Sequence, residues 1–331
     1  MGKPRLFSMP WYPPDDRPFD VAGLGCAAMD VVCLLERYPE RNEKVYALTM
    51  GRHGGGPVGT ALTAVARLGF RASFIGQVGD DFAGRYIFSE FKREGVDVHT
   101  DAVQEGVRSQ VSICLVDQSS GDRTVVSRYG ELVVTERDGP RIAAVCNSCI
   151  LHVDGYDMEA AVSAARAARD VGTAVVYDCG SVHDATVELL KYTDIAVTSE
   201  KFIRQMFGDI PLEEACRRLR DYGPSYTGVT LGGRGAVGLD GERFFEVPAF
   251  DVLVVDTTGA GDAFHGGLDV GILLGLDFER AVILASAVAA LKCTELGGRT
   301  GLPTLEEVRR FIAERGHSFL EDMKRGKNNN T

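Results

Sequence analysis

After Pro18 the chain alternates short apolar runs with longer stretches in which apolar residues recur every three or four positions. The short runs predict strands over 19–24, 71–75, 150–153, 173–177, 195–197 and 227–230. The longer stretches predict helices over 58–68, 82–94, 158–170, 212–221, 261–274, 278–292 and 305–315. Strands apolar on both faces, alternating with helices, imply an α/β fold with a mostly parallel sheet covered on both sides.

Two stretches, 31–50 and 109–134, carry no helical stripe. From Gln110 to Val116 the pattern alternates, Ser119-Ser120-Gly121-Asp122 turns, and Arg123 to Val126 alternates again, as in a hairpin. The two stretches predict a small second sheet serving as a lid or a subunit contact on one domain spanning 19–320. The proline-rich residues 1–18 and the asparagine-rich tail 321–331 predict flexible ends.

At 331 residues and 45% hydrophobic, the chain can bury a large core. Its net charge of -11 argues against a nucleic-acid groove as the main surface. The eight cysteines are scattered in apolar runs and read as reduced core residues, including the pair Cys146 and Cys149. Without a leader pattern or an apolar run of membrane-spanning length, the expectation is a soluble, cytoplasmic protein.

The most informative stretch runs from Val255 to Gly266, where a strand end passes through Thr257-Thr258-Gly259-Ala260-Gly261 into an apolar helix. It offers backbone N–H groups to an anion beside the carboxylate of Asp262. A capped strand-turn-helix corner would use the same residues, so local physics leaves both readings open. Asp30 lies just beyond a predicted strand's carboxyl end, where it can serve hydroxyls or cap a turn. Gly54, Gly55 and Gly56 precede a helix begun by Pro57, which suits close approach by a sugar or another backbone.

Gly23-Leu24-Gly25 imitates a dinucleotide fingerprint, but an extended run follows it instead of a helix. No Walker motif is present, so any ATP must be held differently. Thr230, Gly232, Arg234 and Gly235 form a turn at a strand exit that can admit a nucleotide or simply reverse the chain. His265, three residues beyond Asp262, reads as packing beneath the site, and His53 as polar lining. Together these pieces allow phosphoryl transfer, with Asp262 as base and the N–H groups of Gly259, Ala260 and Gly261 facing the phosphoryl oxygens.

Asp256 to Asp262, with Gly55-Gly56-Pro57 and the run Gly76-Gln77-Val78-Gly79-Asp80-Asp81, resembles the ribokinase-like (PfkB) carbohydrate kinases from about Val21 to Phe311. The resemblance implies a three-layer α/β/α sandwich with a small β lid, often used for dimer pairing. It implies ATP with Mg²⁺, and in several members a monovalent cation such as K⁺ near the loop. By it, Asp262 is the general base and Gly259 to Gly261 the anion hole. Asp30, Gly54, Gly55, Gly56 and Thr60 take the sugar, while Thr230, Gly232, Gly235 and Thr257 lie on the nucleotide side. Glu200 is what Ser199-Glu200-Lys201-Phe202 retains of a metal-linked motif.

Within that family, Gly297-Gly298-Arg299 and Phe264-His265-Gly266 are similar to the sulfofructose kinases, and Lys44 matches a lid lysine that meets an anionic substrate end. Asp154 falls where an arginine would hold a sulfonate, and a carboxylate there favours hydroxyls or a cation. The function implied is transfer of the γ-phosphoryl group of ATP to a hydroxyl of a ketose or related sugar. A nucleoside kinase and a catalytically silent sugar-binding regulator are the alternatives.

Overall fold

In chain order the strands are β1 (Phe19–Leu24), β2 (Ala28–Leu35), β3 (Thr49–Gly55), β4 (Ala72–Phe74), β5 (Val78–Gly79), β6 (Asp97–Val98), β7 (Val103–Gln104), β8 (Gln110–Asp117), β9 (Arg123–Arg128), β10 (Ser148–Val153), β11 (Ala174–Cys179), β12 (Ile195–Ser199), β13 (Tyr226–Thr230), β14 (Ala236–Asp240) and β15 (Arg243–Val247). The helices are α1 (Pro57–Arg67), α2 (Phe82–Glu94), α3 (Pro140–Cys146), α4 (Met158–Asp170), α5 (Thr186–Leu190), α6 (Glu200–Phe207), α7 (Leu212–Arg220), α8 (Ala260–Leu273), α9 (Phe278–Lys292) and α10 (Leu305–Ala313). The computed structural model describes residues 7–14, 16–98, 102–131 and 140–320.

Nine strands form one sheet in the order β15-β14-β13-β12-β11-β10-β1-β4-β6. All pairings from β13 through to β6 are parallel, and β14 and β15 add an antiparallel edge. Alternation along the strands divides the core. Val21, Ile150, Val176 and Ile195 pack with Val58, Leu62, Leu268 and Leu284 from α1, α8 and α9. Their neighbours Ala22, Leu151, Val175 and Ala196 face Ala161, Ala165 and Leu219 of α4 and α7. The predicted three-layer α/β/α sandwich is thus present.

Helix starts coincide with side-chain caps, which explains why their pattern was sharp in the sequence. Asp81, Asp157 and Asp277 each accept the N–H three residues on, and Thr304 with Glu307 forms a capping box.

The second sheet has the order β3-β2-β8-β9. It begins at Ala28 and reaches Gly55, so it is longer than the 31–50 segment expected, because glycine-rich strand ends hide their alternation. The hairpin of β8 and β9 matches expectation, while residues 132–134 of the predicted lid lie outside the described residues. One face carries Asp30 and Ser112, which are register partners; the other exposes Met50, Ile113 and Val126.

The expectation of a flexible head is corrected for residues 7–14. Phe7 is buried, with ring centroids 5.7 Å from Trp11 and 6.2 Å from Tyr226, and Met9 N donates to Tyr226 Oη at 2.7 Å. Burial of that aromatic surface outweighs the disorder a proline-rich segment otherwise retains. Residues 1–6 and the tail 321–331 lie outside the described residues. All eight cysteines are free, and among the described residues no helix is long and apolar enough to cross a membrane.

Candidate active site

β1 sits between β10 and β4, so chain connections depart in opposite directions on either side of it. Open α/β sheets bind ligands at the carboxyl ends of strands beside such a switch point. Cys26 follows β1 there and Asp154 follows β10. The charges acting on the buried Cys26 thiol are those of Asp154, Asp30, Asp262 and Arg299, which brings the two halves of the sequence-predicted site together.

Asp154 does not stand free to meet a substrate, as its place in the sequence suggested. Its Oδ2 accepts from Cys26 N at 2.8 Å and Val58 N at 3.4 Å, and its Oδ1 from Tyr156 N at 2.9 Å. Burial nevertheless raises its pKa to about 6. The side chain staples the β1 exit to the start of α1.

The loop before α8 is held from behind. Val255 N and Asp256 N donate to Cys293 O at 2.8 and 3.2 Å. Asp256 is wholly buried, and its carboxylate accepts from Thr258 N at 2.8 Å and Gly297 N at 2.7 Å. Gly259 then turns the chain at φ 75°, where an added Cβ would lie 2.8 Å from Gly298 O. Only glycine fits there without strain.

With α8 starting at Ala260, the N–H groups of Gly261 and Asp262 take no partner among the described residues, as expected of a helix start without a side-chain cap. A Cβ at Gly261 would meet nothing within 4 Å, so the approach to these donors is open.

Asp262 is part-exposed in the first turn of α8. Loss of solvent raises its pKa to about 7, aided by the carboxylates of Asp178 and Asp154 and opposed by His265 and Arg123. His265 fixes the helix beneath it: Nδ1 lies 2.9 Å from Gly261 O, and Nε2 lies 3.2 Å from Val197 O in β12. Asp178 Oδ2 lies 3.4 Å from the same Nδ1. Deeper still, His152 Nδ1 and Asp269 Oδ2 pair at 2.8 Å, fully buried between β10 and α8. There the Asp269 charge outweighs burial and holds the imidazole pKa above its ordinary value.

The sugar-side residues meet around Arg299. A Cβ at Gly55 would fall 1.9 Å from Asp30 Oδ2, so the glycine admits that carboxylate against the backbone. Burial raises the Asp30 pKa to about 6 against the pull of Arg299 and a hydrogen bond with Ser112. Arg299 is itself buried, and its Nη2 donates to Gly55 O at 2.6 Å. Its Nε reaches Thr60 Oγ1 at 3.5 Å, and the guanidinium lies 5.0 Å from the Phe91 ring centroid.

Among the described residues Nη1 of Arg299 has no hydrogen-bond partner, and it lies where a side chain on Gly54 would project. Gly56 caps α1 at φ 84°. Lys44 stands apart: it is exposed with Nζ 5.0 Å over the Tyr46 ring, and among the described residues it makes no contact with Asp30 or Thr60.

On the other side of the loop, Thr230 ends β13 with Oγ1 donating to Thr198 O at 3.2 Å. Gly232 and Gly235 bracket a single 3₁₀ turn, and the space above Gly232 is open. Arg234 in that turn pairs with Glu200 at 2.5 Å, joining two residues that the sequence assigned separately to phosphate and metal. Thr257 N and Oγ1 both donate to Gly121 O in the turn between β8 and β9, and Arg123 Nη1 reaches Thr257 Oγ1 at 3.4 Å.

Sequence reasoning missed Arg123, Asp178, Lys292 and Arg299 as site residues. Asp178 had a signal, since it ends an apolar strand in the way that drew attention to Asp30. Arg299 was noticed only within Gly297-Gly298-Arg299 of the resemblance, without a role, and Arg123 and Lys292 had no signal of one, because a lone cation in a hairpin or at a helix end reads as surface.

Fold and site together are those of an α/β protein with an open, uncapped helix start beside a carboxylate. The pfkB family carbohydrate kinase model matches residues 19–305, and the chain belongs to that family. It is 26% identical to the ribokinase of Lactococcus lactis over 295 residues, covering 89% of this chain and 97% of that one. It is 30% identical to the aminoimidazole riboside kinase of Salmonella typhimurium over 290 residues, covering 81% and 90%. The solved structure of Arabidopsis thaliana ribokinase complexed with ribose and ATP shares the fold at a TM-score of 0.77, with 23% identity and coverage of 89% and 98%.

Proposed function

We propose that the protein transfers the γ-phosphoryl group of ATP to a hydroxyl of a ketose or related sugar, with Asp262 taking the hydroxyl proton. The observation that carries this is a carboxylate poised at about 7 in the first turn of α8, beside helix-start N–H groups that have no other partner. A base with a pKa near the working pH accepts a proton readily yet is ionised often enough to act. The substrate O–H bond breaks toward Asp262 as the new O–P bond forms, and ADP leaves with the bridging oxygen.

The N–H groups of Gly259, Gly261 and Asp262 offset charge on the transferred oxygens, whereas that of Ala260, expected to join them, donates instead to Thr257 O at 3.2 Å. Asp30 accepts from substrate hydroxyls, with Arg299 fixing its backbone wall at Gly55 and the unpaired Nη1 turned toward Gly54. Thr230, Gly232, Gly235 and Thr257 line the nucleotide side.

Mg²⁺ supplies charge neutralisation on the nucleotide phosphates. Among the described residues no group of three or more metal-binding side chains forms a site, which fits an ion carried by the nucleotide. Glu200, whose Oε1 pairs with Arg234, would reach such an ion through water by its other oxygen. The exposed apolar face of Met50, Ile113 and Val126 suits pairing of two copies through the small sheet, which a solution mass measurement checks.

A second reading, a nucleoside kinase, draws support from one feature. The rings of Tyr129 and Tyr156 meet at a tilt of 39° with centroids 5.5 Å apart, and Tyr156 Oη donates to Gln110 Oε1. An aromatic pair suits a planar base. A silent regulator is disfavoured, because the carboxylate and the loop glycines are all present. ADP production from ketoses, phosphorylated or sulfonated ketoses and nucleosides separates the readings. Turnover of nucleosides alone would overturn the sugar assignment.

A further inference from the structure

Lys292 ends α9 and is wholly buried. Its Nζ donates to the carbonyl oxygen of Asp256 at 2.7 Å, its one hydrogen bond among the described residues. Among the described residues no carboxylate pairs with it directly, and the two oxygens of Asp256 hold Thr258 N and Gly297 N. A buried cation without an ion-pair partner is costly, and the same volume of apolar side chain would cost less. Burial lowers the pKa of this ammonium, while the nearby Asp256 charge works against that loss. The position is specific: Asp256 opens the loop whose far end is Asp262.

A monovalent metal ion behind this loop would need the acceptors that face it. The Asp256 carboxylate is engaged as above, its carbonyl takes Lys292, and the Cys293 carbonyl takes Val255 N and Asp256 N. These residues do not fit a second cation in contact with the first.

We propose that Lys292 is the loop's built-in cation: a positioning residue that holds Asp256 and offsets the charge that phosphoryl oxygens bring to residues 257–262, in place of K⁺. This rests on the reading of that loop as the phosphoryl site. The ammonium acts through the backbone and touches no reacting atom.

The test measures MgATP binding by calorimetry and the thermal midpoint of the full chain in tetramethylammonium, Na⁺ and K⁺ buffers of equal ionic strength. Wild type is expected to bind equally in all three. Lys292→Ala is expected to lose about tenfold or more in MgATP affinity, the worth of a charge-assisted hydrogen bond, and to regain most of it with K⁺ or NH₄⁺. Lys292→Met, which fills the space without charge, is expected to lose affinity without rescue.

Strong stimulation of wild-type binding by K⁺ overturns the proposal. So does a folded Lys292→Ala that binds normally without K⁺, or one that no monovalent cation rescues. If Lys292→Ala does not fold, Lys292→Gln replaces it. No MgATP binding by wild type in any salt overturns the phosphoryl-site reading itself, whereas K⁺-dependent binding overturns only the role of Lys292.

Discussion

The carbonyl oxygen of Gly121 accepts both the N–H of Thr257, at 3.1 Å, and its hydroxyl, at 3.0 Å. One atom at the tip of the β8–β9 hairpin thus fastens the small sheet to the loop that leads to Asp262. Arg123, two residues on, brings a positive charge to the same hydroxyl. The small sheet and the loop before Asp262 are therefore held together, and a movement of one must release or drag the other.

Thr257→Val tests that coupling, since it keeps the N–H bond and removes the hydroxyl. Stability should change by only about 1 kcal/mol, the net worth of one hydrogen bond. The kcat/KM should fall by about tenfold, because a small misplacement of the loop is costly in catalysis. Melting curves and steady-state kinetics on the same preparation check both parts.

The raised pKa of Asp262 predicts opposite effects on stability and activity. From its ordinary 3.8 up to about 7, the folded protein retains a proton that the unfolded chain has released. Stability therefore falls as pH rises through that window, and the full penalty is present above it. Asp30 and Asp154 add to the fall up to about 6. Asp262→Asn should melt higher than wild type at about pH 8, with the gap closing toward about pH 5. Wild-type kcat/KM should rise with pH through about 7 as the carboxylate ionises. A scan of melting temperature and rate against pH measures both.

Arg299→Lys keeps the charge and loses the planar fork that spans Gly55 O and Thr60 Oγ1. The KM for the sugar should rise by about tenfold or more, with the KM for ATP little changed. Arg299→Ala should also destabilise the protein by about 1–3 kcal/mol, because the buried Gly55 carbonyl loses its donor. Kinetics with each substrate varied in turn, together with chemical denaturation, separates the two effects.

Much of the framework was legible because its signals are local. The helices Phe82–Glu94 and Met158–Asp170 begin after aspartates that cap them and carry regular apolar stripes, and Phe278–Lys292, apolar nearly all round, begins after its capping Asp277. The corner from Thr257 to Asp262 was legible because glycine, strand end and helix start leave few conformations. The antiparallel edge of β14 and β15 escaped notice, as did the five-residue α5 and the eight-residue α6, because elements so short carry little periodicity.

Arg299 and Lys292 were illegible for a different reason. Each is buried by contacts with segments far away in the chain, Arg299 by Gly55 and Thr60 and Lys292 by the Asp256 loop. Nothing adjacent to either residue announces that burial. The same holds for the three hydrogen bonds that Asp154 accepts from the backbone N–H groups of Cys26, Val58 and Tyr156, which nothing beside it in the sequence announces.

In the proposed reaction everything turns on Asp262 accepting the substrate proton. The direct measurement is kcat of Asp262→Asn with whichever sugar the wild-type protein phosphorylates, in a variant shown to be folded and to bind MgATP. A fall of about 10²–10⁴-fold is predicted for loss of a general base. Turnover close to that of wild type in the folded variant would contradict the account.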